Sequence, residues 1–127
     1  MPKVKLWDDL TPAQKVKRWE GVERVMKKLT PHQRKHHFCM RFWGQQTECG
    51  IVGCVGGHCG IDPDFRRQGL RLKVSLIGPR FTGPGPLVFF GSRGYWNVFM
   101  ETAATYSETR ANISRHLKGL RADAKRS

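Results

Sequence analysis

The residues best suited to chemistry crowd into twelve positions, Cys49-Gly50-Ile51-Val52-Gly53-Cys54-Val55-Gly56-Gly57-His58-Cys59-Gly60. They hold three of the four cysteines, five glycines and a histidine, with Cys39, His36 and His37 a short way upstream. A tetrahedral zinc draws on such donors. The spacings, however, are Cys-x9-Cys, Cys-x4-Cys and Cys-x4-Cys, with no Cys-x2-Cys knuckle. Cys49 and Cys54 would also project about 140° apart on one continuous helix. No metal and no cofactor is therefore expected. A second chemistry is nucleophilic: a cysteine at a helix start has its thiolate stabilised by the helix dipole. Cys49 is placed for that, with His58 or His37 as base. A papain-type arrangement needs a longer chain, and the one late histidine, His116, sits in an ordinary amphipathic pattern. Free cysteines more often pack as small hydrophobes. The glycines precede no Gly-Lys-Ser/Thr and so form no phosphate loop of the Walker kind; they read as a surface for close helix packing. No catalytic set emerges, and the expectation is a protein that is not an enzyme.

Charge is the second signal. The chain has 127 residues, with 23 Lys and Arg against 10 Asp and Glu, a net charge of +13. Residues 1–41 hold 11 basic and 4 acidic side chains, residues 42–70 hold 2 and 3, and residues 71–95 hold 4 and none. The cysteine segment thus lies in a neutral island, as a buried centre would. Solubility needs a much smaller imbalance, and an excess of this size attracts polyanions. Lys3, Lys5, Asp8 and Asp9 interrupt any apolar leader, and no apolar run approaches the ~20 residues of a bilayer span. The expectation is a cytoplasmic protein with reduced cysteines and no membrane partner.

The elements that position these residues follow from local patterns. Thr11-Pro12-Ala13-Gln14 is a helix start with a capping box, and Val16, Trp19, Val22, Met26 and Leu29 form one apolar stripe beyond it. Thr30-Pro31-His32-Gln33 repeats the start, so basic helices are predicted over 11–37. Phe38 to Trp43 returns to the core, and a turn runs from Gly44 to Thr47. A Cys/Gly-rich central helix is predicted over 49–60. Leu70 to Leu76 alternates as a half-buried strand with Arg71 and Lys73 outward. Residues 78–86 read as a loop, Leu87-Val88-Phe89-Phe90 as a second strand or a helix, and Tyr95 to Met100 as a helix anchored by Trp96 and Phe99. A last helix over 108–120, capped by Ser107, carries Ile113, Leu117 and Leu120. The fold class is α+β: a mostly helical single domain, 1–127, with a small two-stranded β element.

Several short motifs recur in order: Phe38-Cys39-Met40-Arg41-Phe42-Trp43, then Cys49-Gly50-x-x-x-Cys54-x-x-Gly57, Pro63-x-Phe65-x-x-x-Gly69-Leu70 and Phe89-Phe90-Gly91. In these the chain resembles a family of small proteins from bacteria and their phages, over about residues 38–117. The resemblance implies a phage or prophage accessory protein and carries no reaction with it. Ile51, Gly53 and Gly56 depart from the family's Thr and small alanines, and the basic N-terminal helices lie outside its pattern.

The functional expectation is binding of nucleic acid, or of a nucleoprotein complex, without sequence-specific readout. Lys15, Lys17, Arg18, Arg24, Lys27, Lys28, Arg34 and Lys35 would form a basic surface over the first two helices, extended by Arg71, Lys73 and Arg80. Such residues on phosphates release counterions. Acidic partners on the helix itself are few, Glu20 and Glu23, so the surface is expected to stay un-neutralised. The alternatives are a structural or virion component whose basic face meets packaged DNA or an acidic partner subunit, or a protein–protein interaction component such as an inhibitor of a host machine. A third is a cysteine enzyme centred on Cys49.

Overall fold

A computed structural model describes residues 4–40, 45–47, 50–75 and 78–126, with the backbone alone at 45–47, 50–52, 75 and 78. Helix α1 (Pro12–Lys28) and helix α2 (Pro31–His36) begin at the two expected boxes. At the first, Thr11 Oγ1 accepts from the Gln14 N–H at 3.2 Å and Gln14 Oε1 accepts from the Thr11 N–H at 2.9 Å. Thr30 and Gln33 repeat the exchange at 3.2 and 2.8 Å. Each satisfies two donors that a helix start leaves open.

The apolar stripe of α1 enters one hydrophobic core. Trp19 lies at its centre, fully buried, and its Nε1–H donates to Phe90 O at 3.0 Å. The rings of Phe90, Phe99 and His116 surround it at 5.7, 5.6 and 4.3 Å. Helix α7 (Tyr106–Arg126) packs along α1 through Ile113 and Leu117, and Tyr106 Oη donates to Met26 O at 2.6 Å. This helix is longer than expected at both ends. Its cap is Thr105 rather than Ser107, because Glu108 reaches back to the Thr105 N–H while Thr105 Oγ1 accepts from Glu108 N–H.

The fold class stands as expected, mostly helical α+β in a single domain, but the described residues hold two antiparallel hairpins rather than one two-stranded element. The first joins β1 (Gln45–Thr47) to β2 (Gly50–Val52), in the register Gln45↔Val52 to Thr47↔Gly50. The predicted central helix over 49–60 is therefore corrected. Cys49 lies outside the described residues, residues 50–52 are a strand, and helix α3 (Val55–Ile61) starts only after Cys54. The β-branched pair Ile51-Val52 suits an extended ladder better than a helix start. The expected close packing does occur at Gly60, where a Cβ would stand 2.6 Å from Leu72 Cβ on the neighbouring strand.

The second hairpin joins β3 (Leu72–Ser75) to β4 (Gly78–Phe81). The expected strand over 70–76 is present as Leu72–Ser75, with Leu76 outside the described residues, but its partner is a segment read as loop. Leu87 to Phe90 belongs instead to helix α5 (Pro86–Phe90), with Pro86 at its first position. Gly91, at φ 92°, then turns the chain into the short helix α6 (Ser92–Gly94). A π-helical turn, Tyr95–Phe99, follows and buries Val98 and Phe99. Trp96 does not anchor it: its side chain is 57% exposed. Helix α4 (Pro63–Arg67) sets Phe65 into the core.

Candidate nucleic-acid interface

The basic residues of α1 fall into three environments. Arg24 and Lys28 lie on the flank that faces α4, and Asp62 stands between them. Asp62 is 4% exposed and caps α4 by accepting from the Phe65 N–H at 3.2 Å. Its carboxylate also takes Arg24 Nη2 at 2.9 Å and Lys28 Nζ at 3.1 Å. Burial pushes this carboxyl up, and the hydrogen bonds from Arg24, Lys28 and Phe65 more than offset that, so it stays below its ordinary value. Arg24 reaches Asp64 as well, at 3.4 Å, and is raised by the same Asp62 hydrogen bond. Lys27 pairs with Glu23 at 3.5 Å, one helical turn away. The expectation that α1 stays un-neutralised is therefore corrected: acids from a segment almost forty residues distant meet two of its cations.

Arg18 is a second correction. It is 7% exposed, not a surface contact. Its Nη1–H groups donate to Lys5 O at 2.8 Å and Phe89 O at 3.0 Å, Nη2 reaches Gln68 Oε1 at 3.5 Å, and the guanidinium lies 3.7 Å from the centre of the Phe89 ring. It ties the N-terminal segment, α1 and α5 together. All its partners are neutral, and burial pulls its pKa down to about 10, so it is still a cation at neutral pH.

The remaining predicted residues are exposed or half-exposed. Lys15 Nζ sits 5.2 Å over the Trp7 ring, and the Arg34 guanidinium 4.7 Å over Tyr106. Lys35 is exposed at the end of α2. Arg71 and Lys73 lie on the second hairpin, where the register is decisive. Lys73 stands directly opposite Arg80, while Arg71 O accepts from the Thr82 N–H at 2.9 Å. With side chains alternating along each strand, Arg71, Lys73, Arg80 and Thr82 share one exposed face, and Leu72 points into the core. Among the described residues no carboxylate lies within ion-pair range of these three cations.

This face borders an open cleft of about 1110 Å³ between α1, the end of α4 and the segment after β4. Of the predicted residues, Lys17, Arg18, Arg24 and Arg71 line it together; Lys15, Lys27, Lys28, Arg34, Lys35 and Lys73 do not. Lys5 and Arg67 also line it and were missed, although the doublet Arg66-Arg67 at a helix end was a visible signal. Among the described residues, two carboxylates face the cleft. Asp64 is paired with Arg24 and Arg67, and Glu20 with Arg121 at 3.0 Å. Lys5, Lys17, Arg18 and Arg71 have no such partner among the described residues.

The cysteine centre has a different character. Cys54 and Cys59 are buried, and burial pushes the first thiol up to about 11 and the second well above its ordinary value. Neither is a thiolate at neutral pH. His58 is a packing residue, its Nε2 2.6 Å from His37 O and its pKa lowered by burial. His32, His36 and His37 cluster at ring distances of 4.6 and 5.5 Å, and among the described residues no three donor side chains are placed to hold a metal ion. Among those residues, too, no helix is long and apolar enough to cross a membrane. No family model, curated protein or solved structure matches this chain.

Proposed function

We propose that this chain is a small cytoplasmic nucleic-acid-binding protein that holds phosphate backbones across the second hairpin and the adjoining cleft. It would serve as an accessory protein of the kind implied by the resemblance to bacterial and phage proteins. The observation that carries the reading is the Lys73–Arg80 pair. Like charges directly opposite each other destabilise a strand pair, and this one, with Arg71 beside it, has no carboxylate in range among the described residues. A polyanion supplies the missing charge. A two-stranded ribbon has the dimensions to follow a groove or a phosphate track. The hairpin cations are suited to phosphates and no base-reading set accompanies them, so binding is indifferent to sequence.

The test is fluorescence anisotropy with a random-sequence duplex, a single-stranded DNA and an RNA, each over a salt series. Lys73→Gln/Arg80→Gln should weaken binding and reduce the log-log salt slope by about 1.8 on duplex, from about 0.9 per phosphate contact. Reversal of Arg24 and Lys28 is avoided, since these hold Asp62. An unchanged slope removes the hairpin from the interface. No binding of any nucleic acid at low salt overturns the reading and leaves an acidic protein as the partner of this face.

A further inference from the structure

The cleft differs from the hairpin face beside it, because it is concave, partly apolar and has a buried cation in its wall. Arg18 has five N–H donors, of which three have acceptors among the described residues, all neutral. A buried guanidinium with no counter-charge is costly. Around it, Lys5, Lys17 and Arg71 are the exposed cations left unpaired by the cleft's own acids among the described residues. The rest of the lining is of another kind. Val4, Leu10 and Pro84 offer half-buried apolar surface. Gln14 and Gln68 each use the side-chain oxygen, on the Thr11 N–H and on Arg18, which leaves their amide N–H groups as donors. A volume of about 1110 Å³ exceeds what a small ligand needs.

We infer that this cleft binds one nucleotide unit, with its phosphate at Arg18, Lys17 and Arg71 and its base on the apolar lining beside the two amides. The inference deepens the proposed function and rests on it. A base inside a duplex cannot enter such a cleft without unstacking, so the ligand is a nucleoside phosphate, either free or at an unpaired position of a single strand.

The experiment is an amide chemical-shift titration with AMP, with inorganic phosphate and with a 5′-phosphorylated single-stranded oligonucleotide. AMP at millimolar concentration should shift Lys17, Gln68, Gly69 and Gly83 in a saturable way. Lys17→Glu should weaken this about tenfold, equivalent to 1.4 kcal/mol, and Lys17→Arg should restore it. Lys73→Gln/Arg80→Gln should leave AMP binding unchanged while weakening the oligonucleotide. If the oligonucleotide displaces AMP, the natural source is a strand; if AMP binds and the oligonucleotide does not compete, it is a free nucleotide. Either result supports the site. Absence of shifts in the cleft with AMP, or an equal response to inorganic phosphate, overturns the inference. Duplex binding that persists in that case leaves the proposed function standing, whereas its absence removes both.

Discussion

Mild acid should weaken this fold at a pH where its carboxylates are still ionised, and His116 sets the size of the loss. Its ring lies 4.3 Å from Trp19, and its Nε2 is buried without a hydrogen-bond partner among the described residues. Burial, reinforced by Arg93, pushes its pKa from 6.5 down to about 4. The unfolded chain therefore takes up a proton below pH 6.5 that the folded chain refuses until about pH 4. Stability from this group is complete above the unfolded value and falls as pH drops between the two. With those two values the loss between pH 7 and pH 5 is about 2 kcal/mol. His58, lowered by burial, acts in the same direction. Asp62 does not enter this window: its pKa is held below the ordinary 3.8, so its contribution is lost only in stronger acid. Urea unfolding followed by tryptophan fluorescence at a series of pH values measures the effect. At a slope of roughly 1–3 kcal/mol per molar urea, the midpoint should drop by about 1 M from pH 7 to pH 5. His116→Leu removes the titrating ring and its unpaired nitrogen, so its midpoint should fall much less over the same range. Equal pH dependence in the two proteins would refute the assignment, whatever their stabilities at pH 7.

Two further outcomes test the packing. Gly60→Ala places a methyl 2.6 Å from Leu72 Cβ and 3.2 Å from the Leu72 backbone nitrogen, which should cost about 1–3 kcal/mol; Gly85→Ala, with open space around it, should not lower the melting temperature. In the folded protein Cys54 and Cys59 should resist alkylation at pH 8 and react only after unfolding, as site-resolved mass spectrometry can measure; rapid native modification of either would contradict their burial.

The parts of this fold legible in the sequence are those whose signals are local. The two Thr-Pro-x-Gln starts fold as boxes because all the bonding partners lie within four residues. The alternation from Leu70 onward reads as a strand because one face is buried and one exposed. Strand β4 was hidden by Gly78 and Pro79, which normally mark loops. In a two-stranded hairpin both strands are edges, so a proline is tolerated there. Arg18 and His116 were opaque for a different reason. Helical periodicity places both beside an apolar stripe, but their environments come from Lys5 and Phe89 in one case and from Trp19 in the other, at separations of up to 97 residues in the chain. Asp62 is similar: no helical spacing relates it to Arg24 and Lys28.

How the acids are distributed bears on what the positive charge is for. Repulsion among cations can be relieved by placing carboxylates beside them, and this chain does so for some of its helical cations. Asp62 meets Arg24 and Lys28, Asp64 meets Arg24 and Arg67, Glu23 meets Lys27 and Glu20 meets Arg121. On the second hairpin one glutamate in place of Lys73 or Arg80 would turn a repulsive cross-strand pair into an attractive one at no cost to the register. None is there, and residues 71–95 hold no acid at all. Charge that served only solubility would show no reason to set like charges directly opposite each other on one strand pair. The cross-strand cations of the hairpin sit where a polyanion would meet them, so binding should relieve a repulsion that the free hairpin carries and stabilise that hairpin most.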